Sequence, residues 1–308
     1  MLHQLLGGGA DAVTALPAGP HLFCFGLGYS ALALARPLAR EGWTISGTSR
    51  SAESAAALGA LGFPAQVFDR DNPLPAQALS GATHILVSIA PDAAGDPVLD
   101  LYRDRIAALP GLVWLGYLST TGVYGDRGGG LVDETSSLLP SGERGQRRVS
   151  AEQGWLDLWR NREVPVHIFR LAAIYGAGRS PFAALRAGAA KRIDKPGQVF
   201  SRIHVDDLAG VLQASIAQPR PGAVYNVCDD EPAAPEAVVA FAAELLGIPP
   251  PPLVPFEDAE LSPMARSFYA DNKRVSNSRI KSELHFALHY PDYRAGLVAI
   301  MSEEESCG

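Results

Sequence analysis

The chain has 308 residues, of which 47% are hydrophobic and 19% are charged, and its formal net charge is -7 at pH 7. This balance is typical of a globular protein, and no stretch approaches the roughly 20 apolar residues that a membrane span requires. The acidic charge argues against a nucleic-acid surface. Cys24, Cys228 and Cys307 are too few and too scattered for a disulfide framework or a zinc site. We therefore expect a cytoplasmic protein that holds no metal and acts on a small molecule.

The N-terminal segment does not resemble a targeting signal. Residues 1–20 lack the basic start and compact apolar core of a secretory signal, and we interpret them as a loosely structured lead-in. From residue 21 onward, short apolar runs alternate with helix-like segments, which indicates repeated βα units around a parallel sheet. The predicted strands span residues 21–26, 43–49, 64–69, 84–90, 112–120 and 164–172. The predicted helices between them span residues 30–42, 51–62, 98–109 and 149–163.

These elements predict an α/β protein with a Rossmann-type, doubly wound parallel sheet in residues 21–175. The strands are almost continuously apolar, as expected of strands that are covered on both faces. The regular alternation fades after residue 175, where a helix is predicted at 235–247. We therefore predict a smaller substrate-binding lobe in residues 176–308, with residues 203–230 returning to the main sheet.

The first predicted strand runs into a glycine motif that is typical of dinucleotide-binding proteins. Gly26, Gly28 and Ala31 form a G-x-G-x-x-A pattern at the start of the first predicted helix. Gly26 permits the tight turn, Gly28 lets a pyrophosphate approach the backbone, and Ala31 lets the helix pack close to the sheet. The helix N terminus then presents unpaired N–H groups to the phosphates. The predicted phosphate loop consists of Gly26, Leu27, Gly28, Tyr29, Ser30 and Ala31.

The end of the second predicted strand favours NADP over NAD as the cofactor. It carries no acidic residue for a ribose 2′-hydroxyl; instead Arg50, beside Ser49 and Ser51, could pair with a 2′-phosphate. The alternative is a solvated arginine at the start of a helix. Asp69 closes the third predicted strand, where it could accept a hydrogen bond from the adenine amino group or cap a helix. The predicted cofactor site is completed at the end of the fourth strand by Ile89 and Ala90.

Further segments resemble the extended short-chain dehydrogenase/reductase superfamily, also called the NAD-dependent epimerase/dehydratase family. They are STTGVYGD at 119–126, FRLAAIYGAG at 169–178, IHVDDLAGVL at 203–212, YNVCDDEP at 225–232 and NSRIKSELHFALHYPDYRAGL at 277–297. Extended members usually carry a G-x-x-G-x-x-G loop, and the G-x-G-x-x-A pattern is similar to that of atypical members such as the YeeZ-like proteins. The resemblance implies a Rossmann protein that binds NAD(P).

The resemblance also shows that a catalytic pair is missing. Family members use a serine or threonine, a tyrosine, and a lysine four residues after the tyrosine. Thr120 falls at the first position, where it would hydrogen-bond a substrate oxygen or local backbone. Aligning RGQRRVSAE with the family pattern places Arg144 on the tyrosine and Arg148 on the lysine. Arg148 could still bind the cofactor ribose, but a guanidinium stays protonated and Arg144 cannot exchange a proton. We interpret the Tyr269 and Lys273 spacing in the C-terminal region as coincidence.

Two interpretations of the arginine segment stay open. Arg144 and Arg148, with Arg147, could form one basic helix face that clamps a phosphate or carboxylate, so that the substrate would be anionic. Alternatively the segment is a solvated loop, because Gly142 and Gly145 weaken a helix start. A homodimer is one alternative for the assembly.

In the second lobe, the resemblance places several residues near a substrate pocket. The residues that resemble positions framing this pocket in the family are Arg179, Ser180, Pro181, Arg202 and His204. We interpret His204, like Tyr175, as a packing residue rather than a catalytic one.

The leading functional hypothesis is an NADP-dependent oxidoreductase-like protein without the usual Tyr-x-x-x-Lys pair, whose proton comes from Thr120, a water molecule or the substrate. A non-catalytic NADP(H) sensor that binds a protein partner is the second hypothesis. A nucleotide-sugar epimerase or dehydratase is the third.

Overall fold

The computed structural model describes residues 19–307, so the predicted lead-in lies outside the described residues apart from Gly19 and Pro20. The strands are β1 (His21–Phe25), β2 (Thr44–Ser49), β3 (Ala65–Val67), β4 (His84–Val87), β5 (Trp114–Thr120), β6 (Leu131–Val132), β7 (Val166–Leu171), β8 (Ala173–Tyr175), β9 (Arg192–Asp194), β10 (Arg202–His204), β11 (Val224–Val227), β12 (Leu253–Pro255) and β13 (Arg274–Val275). The helices are α1 (Tyr29–Arg40), α2 (Ala52–Ala60), α3 (Pro97–Ala107), α4 (Glu143–Arg162), α5 (Phe182–Arg186), α6 (Val205–Ala217), α7 (Pro235–Leu245), α8 (Pro263–Phe268), α9 (Ser278–Glu283) and α10 (Tyr293–Cys307).

Seven of these strands form one parallel sheet, in the order β11-β7-β5-β4-β1-β2-β3. Phe23 of β1 pairs with Ile85 of β4, and on the other side of β1 Cys24 pairs with Gly47 of β2. The predicted Rossmann-type fold is confirmed. The strand order reverses between β1 and β4, which opens a crevice at the carboxyl ends of these two strands, the place where such sheets bind their ligands.

Helices cover both faces of the sheet, which explains why its strands are apolar throughout. On one face α1 and α6 pack through Leu34 and Leu208. On the other face α3 and α4 pack through Tyr102 and Trp155. Each large side chain buried in this way contributes about 1.5–3 kcal/mol to stability. Within residues 19–307, no helix combines the length and apolar character that crossing a membrane demands.

The second lobe has its own core and three short two-stranded sheets. Helices α5, α7 and α10 pack together through Phe182, Val238 and Leu297. The small sheets pair β8 with β10, β9 with β12, and β6 with β13. The last of these joins the segment after β5 to the C-terminal region, so the second lobe sits at the carboxyl edge of the main sheet. In the main sheet itself, β11 pairs with β7.

Helix α4 begins at Glu143 rather than at the predicted residue 149. The prediction was wrong because it treated the glycines of this segment as helix breakers. A Cβ atom at Gly145 would lie 2.6 Å from Cβ of Pro140 and 3.0 Å from the carbonyl oxygen of Gly122. The first turn of α4 therefore packs tightly against the preceding loop, and this tertiary contact outweighs the low helix propensity of glycine.

Candidate functional site

The turn after β1 is built from contacts that require a glycine at its first position. Gly26 has a φ of +87°, and a Cβ atom there would lie 2.6 Å from the Ser88 hydroxyl oxygen. Its N–H donates to the Thr48 hydroxyl oxygen at 2.8 Å, and the N–H of Leu27 donates to the Thr48 carbonyl at the same distance. The loop is therefore held in place by β2 and by the end of β4.

Gly28 is in a different situation, because no contact within residues 19–307 requires a glycine there. Its backbone is extended, with a φ of -98°. A Cβ atom at this position would meet no atom of residues 19–307 within 4 Å, apart from its chain neighbours. Gly28 also begins α1, and no side chain caps the helix. The N–H groups of the first turn thus have no side-chain cap, and the space beside Gly28 fits the pyrophosphate of a dinucleotide.

The remaining residues of the phosphate loop face the protein or the second lobe. Ala31 is buried beneath the loop and Leu27 is part of the core. The Tyr29 hydroxyl donates to the carbonyl of Ala177 at 3.1 Å, and its ring lies under the guanidinium of Arg179. The side chain of Tyr29 therefore bridges to the second lobe, and only its backbone N–H is available to a phosphate. Ser30 is half-buried at the start of the helix.

The end of β2 carries an unengaged positive charge. Arg50 is exposed and makes no hydrogen bond or ion pair with the described residues. Ser51, by contrast, caps α2 by accepting a hydrogen bond from the Ser54 N–H at 3.2 Å, and Ser49 is half-buried at the strand end. Arg50 is thus free to meet a ligand at the mouth of the crevice.

At the far side of this mouth, Asp69 is partly engaged. Its carboxylate accepts hydrogen bonds from the N–H of Asp71 at 2.8 Å and from the N–H of Asn72 at 2.9 Å. The carboxylate therefore closes a turn and does not cap a helix; the hydrogen bonds from Asn72 lower its pKa. Ile89 lies against Gly26 and Ala90 is exposed, so both border the crevice from the end of β4.

Thr120 ends β5 and begins a 3₁₀ helix at Thr121–Tyr124. Its hydroxyl oxygen accepts a hydrogen bond from the N–H of Gly122 at 3.1 Å. Of the two predicted roles of Thr120, the hydrogen bond to local backbone is therefore present. The hydroxyl hydrogen has no acceptor among the described residues, so it can still be donated to a substrate oxygen.

The three arginines near the start of α4, Arg144, Arg147 and Arg148, do not converge on one point. Arg144 reaches the second lobe, where it donates to the Ser267 hydroxyl at 2.8 Å and lies over the Phe268 ring. Arg147 pairs with Glu143 on its own helix. These contacts leave each guanidinium with a separate protein partner, so the structure does not bring the predicted anion clamp together.

Arg148 points along β5. It donates to the Tyr117 hydroxyl at 3.0 Å and to the Leu118 carbonyl at 2.6 Å, with its guanidinium over the Tyr117 ring. Burial raises the pKa of Tyr117, and the nearby guanidinium opposes this shift. Nη1 of Arg148, the residue that the sequence resemblance aligns with the family lysine, is therefore bonded to β5.

A buried polar network that the sequence did not reveal supports this part of the site. Arg170 of β7 forms an ion pair with Glu152 of α4 at 2.8 Å, and both side chains are at most 5% exposed. Ser119, next to Thr120, donates to the same carboxylate at 2.5 Å, and Arg170 also donates to the Tyr124 hydroxyl at 2.9 Å. The only sequence signal was the glutamate that anchors the family alignment. The network fixes α4 against the ends of β5 and β7.

In the second lobe, His204 and Tyr175 pack as structural residues. Nδ1 of His204 accepts a hydrogen bond from the Asp206 N–H at 3.3 Å, and burial lowers its pKa. The imidazole ring lies between Tyr175 and Tyr290. Ser180 accepts a hydrogen bond near the start of α5, which Pro181 precedes.

Comparisons with known proteins agree with this geometry. No protein-family model matches the sequence. Protein YeeZ of Escherichia coli K12 is 28% identical over 285 residues, which cover 87% of this chain and 95% of YeeZ. A dTDP-glucose 4,6-dehydratase from Bacillus anthracis, solved in complex with NAD, is 18% identical with a TM-score of 0.74 over 94% of this chain and 97% of that one.

A structure of higher identity comes from a conserved protein of unknown function in Silicibacter pomeroyi DSS. It is 53% identical, covers 92% of this chain and 99% of its own, and has a TM-score of 0.87. The chain therefore belongs to the same family as this Silicibacter pomeroyi protein and has the fold of the NAD-dependent epimerases and dehydratases.

Proposed function

We propose that the protein binds NADP(H) in the crevice between β1 and β4 and acts as an oxidoreductase without the usual tyrosine and lysine pair. The observation that carries this proposal is Gly28, where the chain leaves space for a ligand beside an uncapped helix N terminus. Backbone N–H groups at such a terminus bind phosphates. A nicotinamide dinucleotide held there would supply the hydride chemistry.

The preference for NADP rests on Arg50. The guanidinium is exposed and unengaged within residues 19–307, and its planar fork matches a ribose 2′-phosphate. We expect calorimetric titration to give tighter binding for NADPH than for NADH. Arg50→Ala should weaken NADPH binding by about tenfold and leave NADH binding unchanged, since one charge-assisted contact is worth about 1.4 kcal/mol or more.

Arg36→Ala is the matched control for this titration. Arg36 is another exposed arginine, on α1, and it makes no hydrogen bond or ion pair with the described residues. Its loss should change neither affinity. Equal affinities of the unmodified protein for NADPH and NADH would contradict the NADP preference, and no binding of either would contradict the cofactor site.

In the proposed reaction, proton transfer uses groups other than the tyrosine and lysine of the NAD-dependent epimerase/dehydratase family. Arg144 cannot donate or accept a proton near neutral pH, and it is bonded to Ser267. The Thr120 hydroxyl can hold a substrate oxygen, so the proton would come from this hydroxyl, from water or from the substrate itself. The activity test is oxidation of NADPH by a panel of carbonyl compounds and nucleotide sugars. Turnover that falls in Thr120→Val supports the proposal, and inactivity toward the whole panel opposes it.

A specific observation also favours a second candidate, an NADP(H) sensor without catalysis. Arg144 and Arg148, which the sequence resemblance aligns with the catalytic tyrosine and lysine, both have protein partners. A sensor would change its binding to a protein partner when NADP(H) binds. Affinity capture from cell extract with and without NADPH tests this, and a partner set that does not change with NADPH would count against it.

A further inference from the structure

An arginine joins the chain segments that follow β3 and β4. Arg70 makes a two-point contact with Asp92, in which Nε donates to Oδ2 at 2.6 Å and Nη2 donates to Oδ1 at 3.1 Å. The same Nη2 donates to the carboxylate of Asp100, in the first turn of α3, at 2.8 Å. We name these three side chains the Arg70 bridge. The bridge ties the turn that Asp69 closes to the loop between β4 and α3.

The two strands that the bridge connects are not neighbours in the sheet. The strand order β4-β1-β2-β3 places β1 and β2 between them. Neighbouring strands lie about 4.8 Å apart, so β3 and β4 are separated by roughly 14 Å. Arg70 and Asp92 can therefore meet only because the segments after β3 and β4 approach each other at the carboxyl edge of the sheet, along the ends of β1 and β2.

Each of the connected turns is also held by its own hydrogen bonds. Oδ1 of Asp92 accepts hydrogen bonds from the N–H of Ala94 at 2.7 Å and from the N–H of Gly95 at 3.1 Å. Asp69 closes the other turn in the same way. The hydrogen bonds from Arg70 lower the pKa of Asp92, so its carboxylate is charged at neutral pH. Because the turns keep their own shape, the bridge controls the distance between them.

We propose that Arg70 is a positioning residue for the cofactor, because the Arg70 bridge sets the width of the crevice mouth in which the adenosine half of NADP(H) binds. The inference rests on the proposed function, in which Arg50 at the end of β2 holds the ribose 2′-phosphate. The adenosine attached to this phosphate then lies at the ends of β2 and β3, with Asp69 on one side and Ala90 on the other. Arg70 acts through the two carboxylates that it holds. Walls that are kept at the right distance before binding raise the affinity.

The test compares NADPH with 2′,5′-ADP, which contains the adenosine half of NADP and no nicotinamide. Affinities for the full chain are measured by calorimetric titration. Arg70→Ala should weaken the binding of both ligands by about fivefold, because a partly exposed ion pair shifts the population of the binding-competent arrangement by about this factor. The loss should be equal, since both ligands place the same adenosine in the crevice mouth. A loss for NADPH alone, or no loss for either ligand, would overturn the inference.

Two further variants show whether the effect comes from the bridge. Arg103 also lies near Asp100, with 3.7 Å between Nη2 and Oδ1, but it is not bonded to the loop between β4 and α3 within residues 19–307, so Arg103→Ala should change neither affinity. Asp92→Asn keeps the oxygen that accepts the hydrogen bonds of its own turn and removes the charge. Combined with Arg70→Ala, it should weaken binding no further than Arg70→Ala alone, because both changes remove one contact. Losses that multiply in the double variant, or an equal loss in Arg103→Ala, would contradict the assignment.

Measurements without nucleotide separate this inference from the proposed function. Thermal unfolding should be nearly unchanged in Arg70→Ala, because Arg70 and Asp92 are partly exposed. Amide hydrogen exchange in residues 92–95 should nevertheless become faster, since the loop has lost its tie to the turn after β3. If the unmodified protein binds both ligands and Arg70→Ala binds them equally well, the positioning role is wrong and the proposed function stands. If exchange becomes faster but the unmodified protein binds neither ligand, the bridge orders the loop, whereas the proposed function and the cofactor role that rests on it are wrong.

Discussion

The glycine loop after β1 and the first turns of α4 both carry candidate site residues, yet they differ in what their polar groups contact. At the loop, the first-turn N–H groups of α1 and the guanidinium of Arg50 have no capping or pairing side chain among the described residues. On α4, Arg144 and Arg148 are both bonded to protein atoms. Polar groups without protein partners are available to a ligand, whereas polar groups bonded to protein atoms help to hold the fold together. The glycine loop and Arg50 therefore leave polar groups available to a ligand, whereas Arg144 and Arg148 take part in packing.

The largest effect is expected where the arginine side is held together. Glu152→Ala leaves the buried guanidinium of Arg170 without its carboxylate, which should lower the free energy of unfolding by about 3–5 kcal/mol. Chemical denaturation measures this loss. Glu143→Ala, which removes the exposed partner of Arg147, should cost less than about 0.5 kcal/mol. Similar losses in both variants would mean that the buried network does not stabilise α4.

A substitution at Gly28 should have the opposite effect, because it should lower the affinity for NADPH without lowering the stability of the fold. Gly28→Val places a side chain in the space that no described atom fills, so NADPH affinity should fall about a hundredfold or more while the free energy of unfolding stays within about 0.5 kcal/mol. Gly26→Ala should instead destabilise the fold, because of its φ of +87° and its close approach to Ser88. Thermal unfolding and calorimetry on both variants separate the two glycines. Unchanged NADPH affinity in Gly28→Val would remove the main support for the cofactor site.

The sequence could predict those features that depend on residues close together in the chain. The strands that became β1, β4, β5 and β7 were predicted because apolar runs are local signals, and the phosphate loop follows directly from its glycine spacing. The start of α4 was missed because Gly145 lowers the local helix propensity. The close packing of Gly145 against Pro140, which favours the helix, is a tertiary contact that propensity does not include. The buried ion pair of Glu152 and Arg170 could not be predicted either, because these residues of α4 and β7 meet only through the packing of separate elements.

The buried carboxyl group of Asp229 leads to a prediction about how stability depends on pH. Asp229 has its pKa raised by burial to about 8 from 3.8. Between these values the folded state holds a proton that the unfolded state has released, so this residue makes stability fall as pH rises from about 4 to 8. Above pH 8 both states are ionised and the slope ends. Asp229→Asn removes this loss, and we expect it to be more stable than the unmodified protein by roughly 1–3 kcal/mol at pH 8 and nearly equal to it at pH 4.

Denaturation curves at a series of pH values provide the measurement. The nearby charges of Arg202 and Asp230 act on this carboxyl group in opposite directions, and both are retained in the variant. A stability difference that does not grow between pH 4 and pH 8 would mean that burial does not raise the pKa of Asp229 in solution.

The smallest expected effect tests the role of Arg144. Its bond to Ser267 and its position over Phe268 are exposed contacts, so Arg144→Ala should lower the free energy of unfolding by less than about 1 kcal/mol. Helix α8 has no buried residue, and hydrogen exchange across residues 262–270 should become faster once this contact is lost. Arg147→Ala should leave the exchange unchanged. If Arg144→Ala instead weakens NADPH binding tenfold or more, the guanidinium contacts the cofactor in the bound state, and the catalytic side of the crevice would have to be counted with the ligand-binding side after all.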